Sequence, residues 1–130
     1  FFDLDHFKKL NDTYGHECGD VVLSTFGKIL NKSVREHDIV GRYGGEEFVA
    51  IIHFNLNREL LQFLKRIKTI VTENSFLYKE KKIKVTFSAG VAIRSSYATY
   101  ENTLQKADML LYQAKENGRN KIILENGMEI

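Results

Sequence analysis

The stretch Arg42-Tyr43-Gly44-Gly45-Glu46-Glu47-Phe48 decides how the chain is organised, because two adjacent glycines are followed directly by two carboxylates. Strand-forming residues flank it on both sides, a pattern that predicts a tight β-hairpin from about Ile39 to Phe54. The glycines either take positive φ or let a bulky anion approach the backbone, and Glu46 and Glu47 then lie at the mouth of the turn. Taken alone, a solvated hairpin with surface acids explains the stretch better than a metal or catalytic site does.

Composition predicts one soluble globular domain. The chain has 130 residues, of which 43% are hydrophobic and 28% charged. A net charge of +2 is too mild to indicate a surface for nucleic acid or membrane. The single cysteine, Cys18, has no disulfide or zinc partner, so we expect a small buried or half-buried side chain in a reducing compartment.

The first residues predict a piece of a longer protein. The chain starts with Phe1-Phe2-Asp3, inside an apolar strand pattern and without Met. It does not start with a basic segment followed by an apolar one, as a signal peptide does, and it contains no run of about 18 apolar residues.

Hydrophobic periodicity predicts the order β-α-α-β-β-α-β-α-β and an α+β sandwich related to the ferredoxin-like layout. The predicted elements are a strand Phe1–Asp5, a short helix capped by Asp5, a loop Asn11–Asp20, a helix capped by Asp20, the hairpin, a helix capped by Asn57, a charged turn Lys79–Lys84, a strand Ile83–Ile93, a polar loop from Arg94, a helix ending near Gly118 and a strand Lys121–Leu124.

Asp3 and Asp5 form the first candidate site. Two residues apart in a strand, they point to the same face, with the carbonyl of Leu4 between them. Mg²⁺ prefers oxygen ligands and takes few of them from protein, so Asp3, the Leu4 carbonyl and Glu46 would suit it. Helix capping and surface solvation remain the simpler explanation of an isolated Asp-x-Asp.

Two further pairs suit a nucleotide. Lys115 and Arg119, four apart near the end of a helix, can reach one side and grip a polyphosphate, although basic residues there more often complement the helix dipole. Asn11 and Asp20 bracket a glycine-containing loop and offer the donors and acceptors that the edge of guanine needs, although both types are also common in turns and caps.

Several motifs occur together in one order. They are Phe2-Asp3-Leu4-Asp5-His6-Phe7-Lys8, Asn11-Asp12-Thr13-Tyr14-Gly15-His16, Gly19-Asp20, the Arg42–Phe48 stretch, Ser88-Ala89-Gly90-Val91, Ala107-Asp108, Tyr112-Gln113-Ala114-Lys115 and Gly118-Arg119-Asn120. In order and spacing they resemble the GGDEF family of diguanylate cyclases over essentially the whole chain, with Glu46 in place of the Asp of the family's name.

The resemblance implies a palm-like fold with a central, mainly antiparallel five-stranded sheet flanked by helices. It also implies condensation of two GTP molecules into cyclic di-GMP with release of two pyrophosphates, by a homodimer with two Mg²⁺ or Mn²⁺ ions per active site. The implied roles are as follows: metal ligands Asp3, Leu4 (carbonyl) and Glu46; catalytic acids Glu46, Glu47 and Asp3; guanine-binding Asn11 and Asp20; phosphate-binding Lys8, Phe7 (backbone), Gly44, Gly45, Lys115 and Arg119.

A second implied site binds the product as an inhibitor. Arg35 and Asp38 form an Arg-x-x-Asp that is separated from Gly44 by five residues, and Arg66 matches the family's secondary arginine. In isolation Arg35 and Asp38 would indicate a helix-end salt bridge.

The resemblance further implies a single domain over 1–130 that lacks the family's first helix and the start of its first strand. It implies an upstream sensory or regulatory domain in a bacterial parent protein, a cytoplasmic location with or without an inner-membrane anchor, and no nucleic-acid partner. The alternative is a catalytically inactive receptor of the same fold that binds cyclic di-GMP or GTP.

Overall fold

The structure, a computed structural model, describes residues 1–73, 76–96 and 99–130. Its strands are β1 (Phe2–Leu4), β2 (Ile39–Gly44), β3 (Glu47–Ile51), β4 (Phe76–Tyr78), β5 (Lys81–Ile83), β6 (Phe87–Val91) and β7 (Ile122–Leu124). Its helices are α1 (Phe7–Tyr14), α2 (His16–Ser33), α3 (Asn57–Glu73) and α4 (Tyr100–Glu116), with a 3₁₀ turn at Arg94–Ser96.

The chain divides into two compact units. Unit 1 consists of Phe1–Asp5 and Phe87–Ile130, and unit 2 of His6–Thr86. The strands β1, β6 and β7 belong to unit 1, and β2 and β3 belong to unit 2.

Unit 1 is built on β6. This strand pairs antiparallel with β1 and parallel with β7, and α4 packs against it. Gly90 permits that packing, since a Cβ added to it would lie 2.1 Å from the carbonyl oxygen of Ala107. A backbone atom of a packed helix cannot move aside, so this position in β6 requires glycine.

The described residues of unit 2 form three helices and two hairpins. The amphipathic helix α2 contacts α1, α3, β2 and β4, and β2 pairs antiparallel with β3. Phe26 of α2 meets Phe48 of β3 with ring centroids 5.1 Å apart, a tilted aromatic contact. Cys18 is fully buried on α2, as predicted from the sequence, and burial raises the pKa of its thiol.

The fold class is confirmed as α+β, with four helices among the described residues and with antiparallel pairing in β1–β6, β2–β3 and β4–β5. In the described part of the chain, no helix has both the length and the apolar character needed to cross a bilayer.

Three predictions near the N-terminus are wrong. Residues 11–20 are helical apart from Gly15, because that one glycine, at φ 94°, makes the whole break between α1 and α2. Gly15 is consequently the N-cap of α2, and Asp20 lies a turn inside the helix. Helix α1 begins after His6 with no side-chain cap, since the carboxylate of Asp5 is engaged elsewhere.

Two predicted element boundaries later in the chain also differ from the structure. The predicted charged turn Lys79–Lys84 includes β5, and Lys79 and Glu80 take positive φ at the tight turn between β4 and β5. The predicted strand Ile83–Ile93 is divided into β5 and β6. Part of the predicted polar loop, residues 97–98, lies outside the described residues.

Candidate nucleotide and metal site

Asp3 is a buried carboxylate compensated by a lysine. It lies in β1 with 3% of its surface exposed, because β1 pairs with the buried strand β6. The Nζ of Lys115, in the last turn of α4, donates to its Oδ2 at 2.7 Å. The sequence assigned these two residues to metal and phosphate respectively, and the structure places them in direct contact within unit 1.

Asp5, the second acid of the Asp-x-Asp pair, makes structural hydrogen bonds. Its Oδ1 accepts from the hydroxyl of Ser88 at 2.6 Å, and its Oδ2 accepts from the backbone N–H of Asn120 at 2.9 Å. Surface solvation, the simpler explanation for an isolated Asp-x-Asp, therefore does not describe either acid.

Arg119 follows α4 instead of lying on it. The helix ends at Glu116, and the next residues form a left-handed turn with φ of 107° at Gly118, 63° at Arg119 and 49° at Asn120. The backbone N–H of Arg119 donates to the carbonyl of Ala114 at 2.9 Å. Arg119 is exposed and does not continue the helical spacing from Lys115, and the expectation that both side chains reach one side stays a prediction.

The turn of the β2–β3 hairpin is open above its two glycines. Neither Gly44 nor Gly45 is among the glycines with positive φ, and a Cβ added to either would meet no atom within 4 Å. The sequence left open two reasons for glycine at these positions, positive φ and space for a bulky anion beside the backbone. The structure is consistent with the second reason and not with the first. Glu46 and Glu47 follow, both half-buried.

Arg42 stabilises this turn by a hydrogen bond, a role that the sequence did not predict. Its Nε donates to the carbonyl of Gly45 at 2.8 Å, across a bulge between Arg42 and Gly44. The contact fixes the residue that directly precedes Glu46.

Asn11 and Asp20 come from two helices joined by the single residue Gly15. Asn11 packs against Gly19, where an added Cβ would lie 1.8 Å from its Oδ1. That oxygen is buried and has no hydrogen-bond partner in the described part of unit 2. Asp20, the next residue after Gly19, is exposed, as is Lys8 on α1.

Asp20 also borders a cavity of about 410 Å³ between α2 and the hairpin. Its walls include Lys28 and Arg42, two cations that the sequence did not single out.

The three predicted inhibitory-site residues lie around one cavity of about 70 Å³ in unit 2. Arg66 donates from Nη2 to the carbonyl of Ser33 at 2.8 Å, and its guanidinium lies 5.7 Å from the centre of the Phe63 ring. The guanidinium of Arg35 lies 3.7 Å from the carboxylate of Glu59. The expected Arg35–Asp38 salt bridge is replaced by a bond from the backbone N–H of Arg35 to Asp38, at 2.9 Å.

Asp38 lines that cavity, and its pKa is lowered. Burial by itself would raise its pKa, but hydrogen bonds from the backbone N–H groups of His53 and Arg35, and the His53 side chain, outweigh burial and lower the pKa below its usual range. The ring of His53 lies 3.4 Å from the carboxylate. Asp38 is therefore held as a charged acceptor beside the two arginines.

These motifs are those of one family, and the comparison with known families decides the assignment. The sequence model described as diguanylate cyclase, GGDEF domain, matches residues 1–121. The chain belongs to the GGDEF family.

Curated GGDEF relatives are similar over almost the whole chain. Diguanylate cyclase A of Treponema denticola is 41% identical over 94% of the chain and 33% of its own length. The response regulator PleD of Caulobacter vibrioides is 40% identical over 93% of the chain and 27% of its own length. The chain thus spans between about a quarter and a third of the length of these curated relatives.

Solved GGDEF structures have the same fold. The GGDEF domain of YfiN (TpbB) from Pseudomonas aeruginosa matches with a TM-score of 0.87 and 30% identity, over 95% of this chain and 78% of that one. The coiled-coil and GGDEF domain of DgcB from Caulobacter crescentus, in complex with c-di-GMP, matches with a TM-score of 0.86 and 28% identity, over 95% of this chain and 66% of that one.

The donors that a GGDEF metal site would use here are all oxygens. Asp3 offers a buried carboxylate, and the adjacent Leu4 a backbone carbonyl, a donor set that fits the preference of Mg²⁺. Among the described residues, no three side chains of Asp, Glu, His or Cys cluster so as to hold a metal ion. Glu46, the third predicted ligand, belongs to unit 2, and the complete ligand set stays a prediction.

Proposed function

We propose that the protein containing this chain is a diguanylate cyclase, which condenses two GTP molecules into cyclic di-GMP and releases two pyrophosphates. Family membership and the similarity to curated diguanylate cyclases support the proposal. The predicted site residues are also all of the types that this chemistry needs.

The single observation that carries the proposal is the 2.7 Å contact between Asp3 and Lys115. A buried carboxylate normally requires a compensating charge, and here that charge sits on a flexible side chain that is 30% exposed. A divalent cation could take over the compensation of Asp3 and free Lys115 for the phosphates that accompany the cation. The pair thus supports a site for a nucleotide with its metal.

In this proposal Asp3, the carbonyl of Leu4 and Glu46 hold Mg²⁺ or Mn²⁺, two ions per site. The metal supplies charge neutralisation at the attacking and leaving oxygens. Glu46 accepts the proton of the ribose 3′-hydroxyl, whose oxygen attacks the α-phosphorus while pyrophosphate leaves, and Glu47 adds a second acid.

The other residues bind and orient GTP. Asn11 and Asp20 bind guanine, with Asp20 accepting from the ring N–H and the exocyclic amine. The phosphates are held by Lys8, the Phe7 backbone, Gly44, Gly45, Lys115 and Arg119. The open space above the two glycines supports a close approach of the nucleotide to the backbone.

Each chain offers one such nucleotide site, so the reaction requires two protomers that present their GTP molecules to each other. We therefore propose a homodimer as the active form. The cavity lined by Arg35, Asp38 and Arg66 binds cyclic di-GMP and inhibits the enzyme. An additional domain of the parent protein, sensory or regulatory, would control the dimer on the cytoplasmic side.

The test is product analysis on the complete protein that contains this chain, with GTP and Mg²⁺. We expect cyclic di-GMP and pyrophosphate by chromatography and mass spectrometry. Glu46→Gln should abolish turnover and leave the circular dichroism spectrum unchanged, because it removes a charge with little change in volume. Unchanged GTP in the presence of a demonstrated dimer would refute the proposal.

An inactive receptor of the same fold is the alternative. The presence of Asp3, Glu46, Glu47, Lys115 and Arg119 favours the enzyme, because a receptor does not need the acids. Calorimetric binding of GTP or cyclic di-GMP without any product would favour the receptor.

A further inference from the structure

Asp5 has no role in the proposed chemistry, yet its carboxylate links three parts of unit 1. It lies directly after β1, accepts from Ser88 of β6 and accepts from Asn120 after α4. Ser88 is fully buried in β6, opposite Asp3 in the strand register. Asp5 is thus attached to a rigid strand on one side and to a loop on the other.

The loop that Asp5 holds has an unfavourable backbone conformation. Gly118, Arg119 and Asn120 all have positive φ, at 107°, 63° and 49°. Glycine takes this region freely and asparagine tolerates it, but arginine rarely does. Such a conformation persists only where surrounding contacts hold it, and it occurs most often at functional sites.

The turn is held by hydrogen bonds on both sides of the Arg119 Cα. The N–H of Arg119 donates to Ala114 of α4, and the N–H of Asn120 donates to Asp5. The Asp5 bond attaches the peptide after Arg119 to the residue that directly follows β1. The direction of the Arg119 side chain depends on both bonds, because the backbone dihedrals set the direction of Cβ.

We propose that Asp5 is a positioning residue, which holds the left-handed turn so that Arg119 presents its guanidinium to the phosphates of the nucleotide. The inference rests on the proposed function for the identity of that nucleotide. It assigns Asp5 a role other than metal binding, although the sequence paired it with Asp3.

Two substitutions of Asp5 separate positioning from metal binding. In Asp5→Asn the amide oxygen can still accept from the Asn120 N–H, and the amide NH₂ can donate to the Ser88 hydroxyl, which accepts as well as donates. Asp5→Ala removes both bonds. A positioning role therefore tolerates Asp5→Asn, whereas a metal ligand does not.

The experiment measures GTP turnover by the complete protein. We expect Asp5→Ala to raise the KM for GTP about 5- to 10-fold, with kcat changed by less than about 3-fold, because the lost orientation weakens phosphate binding. Asp5→Asn should restore KM to within about 2-fold of the wild-type value. In an Arg119→Ala background, Asp5→Ala should have no further effect, since it acts through Arg119.

Three results would overturn the inference. They are loss of activity in Asp5→Asn, unchanged KM in a folded Asp5→Ala variant, and additive effects of Asp5→Ala and Arg119→Ala. If Asp5→Ala fails to fold, the Asp5→Asn result still decides between the two roles.

Hydrogen exchange keeps this inference distinguishable from the proposed function. The Asn120 amide should exchange slowly in the wild type and in Asp5→Asn, and at least about 10-fold faster in Asp5→Ala. If the wild-type protein makes no product but the amides show this exchange pattern, the cyclase proposal is refuted. The stabilisation of the turn by Asp5 would then still be established. Fast Asn120 exchange in the wild type would refute that hold.

Discussion

The Nζ of Lys115 lies 2.7 Å from Oδ2 of Asp3, and the two side chains differ in exposure, at 30% for Lys115 and 5% for Asp3. The carboxylate is thus the more desolvated partner and depends on the lysine for its charge compensation. Removing the lysine leaves a buried charge without its cation, which costs more than the contact itself contributes.

Lys115→Met should therefore lower the free energy of unfolding by about 1–3 kcal/mol, measured by urea denaturation without metal. Addition of Mg²⁺ should stabilise this variant more than the wild type, because the ion then compensates Asp3. Lys106→Met on the same helix is the matched control and should change stability by less than about 0.5 kcal/mol. Equal losses in the two variants would show that Asp3 does not depend on Lys115.

Arg42 holds the turn that carries Glu46, through its 2.8 Å bond to the Gly45 carbonyl. Arg42→Ala removes one exposed hydrogen bond, worth about 1 kcal/mol, so the amides of Glu46 and Glu47 should exchange roughly 5-fold faster. The amide of Ile51, at the far end of the hairpin, is the internal control and should be unaffected. Unchanged exchange at Glu46 would mean that the bulge alone holds the turn.

Gly19 provides the space for Asn11. In Gly19→Ala the new Cβ would lie 1.8 Å from Oδ1 of Asn11 and 3.1 Å from the Phe7 ring, so the carboxamide must rotate away and the ring must shift slightly. The KM for GTP should rise about 3- to 10-fold, the cost of one hydrogen bond.

The control for Gly19→Ala is Gly27→Ala in the same helix, where the added Cβ lies 3.4 Å from the Phe48 ring, an ordinary contact. It should leave KM unchanged. In an Asn11→Ala background Gly19→Ala should have no further effect on KM, and an additive rise would show that it acts by another route.

The sequence predicted the helices and strands well where periodicity was strong, as in α3 and α4, and the buried Cys18. It failed at Gly15, because one left-handed residue can separate two helices with no intervening loop. It also assigned Asp5 and Asp20 to caps, since capping is the commonest role of an isolated aspartate near a helix start.

For the candidate site, the sequence indicated candidate residues but not the contacts between them. Motif positions singled out Asp3 and Lys115 as candidate site residues, whose roles stay predictions, but did not indicate the contact between them, which joins residues 112 positions apart. No local pattern could indicate that Asp5 would accept from Asn120, because that bond depends on a left-handed turn after α4. Long-range pairs of this kind are set by packing and not by local propensity.

Asp38 should make stability depend on pH. Because its folded-state pKa is lowered, the unfolded state binds more protons in the acidic range. The stabilisation is therefore present above the unfolded-state pKa of about 4 and is lost as pH falls through the folded-state value. Asp38→Asn should be less stable than the wild type by about 1–2 kcal/mol at pH 7, measured by urea denaturation, and this gap should narrow below about pH 4. A gap that stays constant with pH would contradict the charge-based role.

Arg66 and Arg35 should contribute differently to product inhibition. Arg66 is anchored by its bond to the Ser33 carbonyl and by the Phe63 ring, whereas Arg35 contacts Glu59 at 3.7 Å, through a side chain that is 71% exposed. An anchored guanidinium loses less conformational entropy on binding, so Arg66 is the better preorganised ligand.

Arg66→Ala should therefore weaken cyclic di-GMP binding by at least about 10-fold, since it removes a charge-assisted hydrogen bond to the ligand. Arg35→Ala should also weaken cyclic di-GMP binding, but by less than Arg66→Ala. In the wild type Arg35 must give up its contact with Glu59 in order to bind the ligand, and this cost disappears together with the Arg35 side chain. Accordingly, Glu59→Gln should strengthen cyclic di-GMP binding slightly when it is introduced into the wild-type protein. It should have no such effect when it is introduced into the Arg35→Ala variant. Calorimetry with cyclic di-GMP measures binding by the wild type, by the three single variants and by the Arg35→Ala/Glu59→Gln double variant, and initial rates with GTP should be unchanged in each. Arg58→Ala on α3, outside the cavity, is the control, and binding unchanged in Arg66→Ala would move the inhibitory site elsewhere.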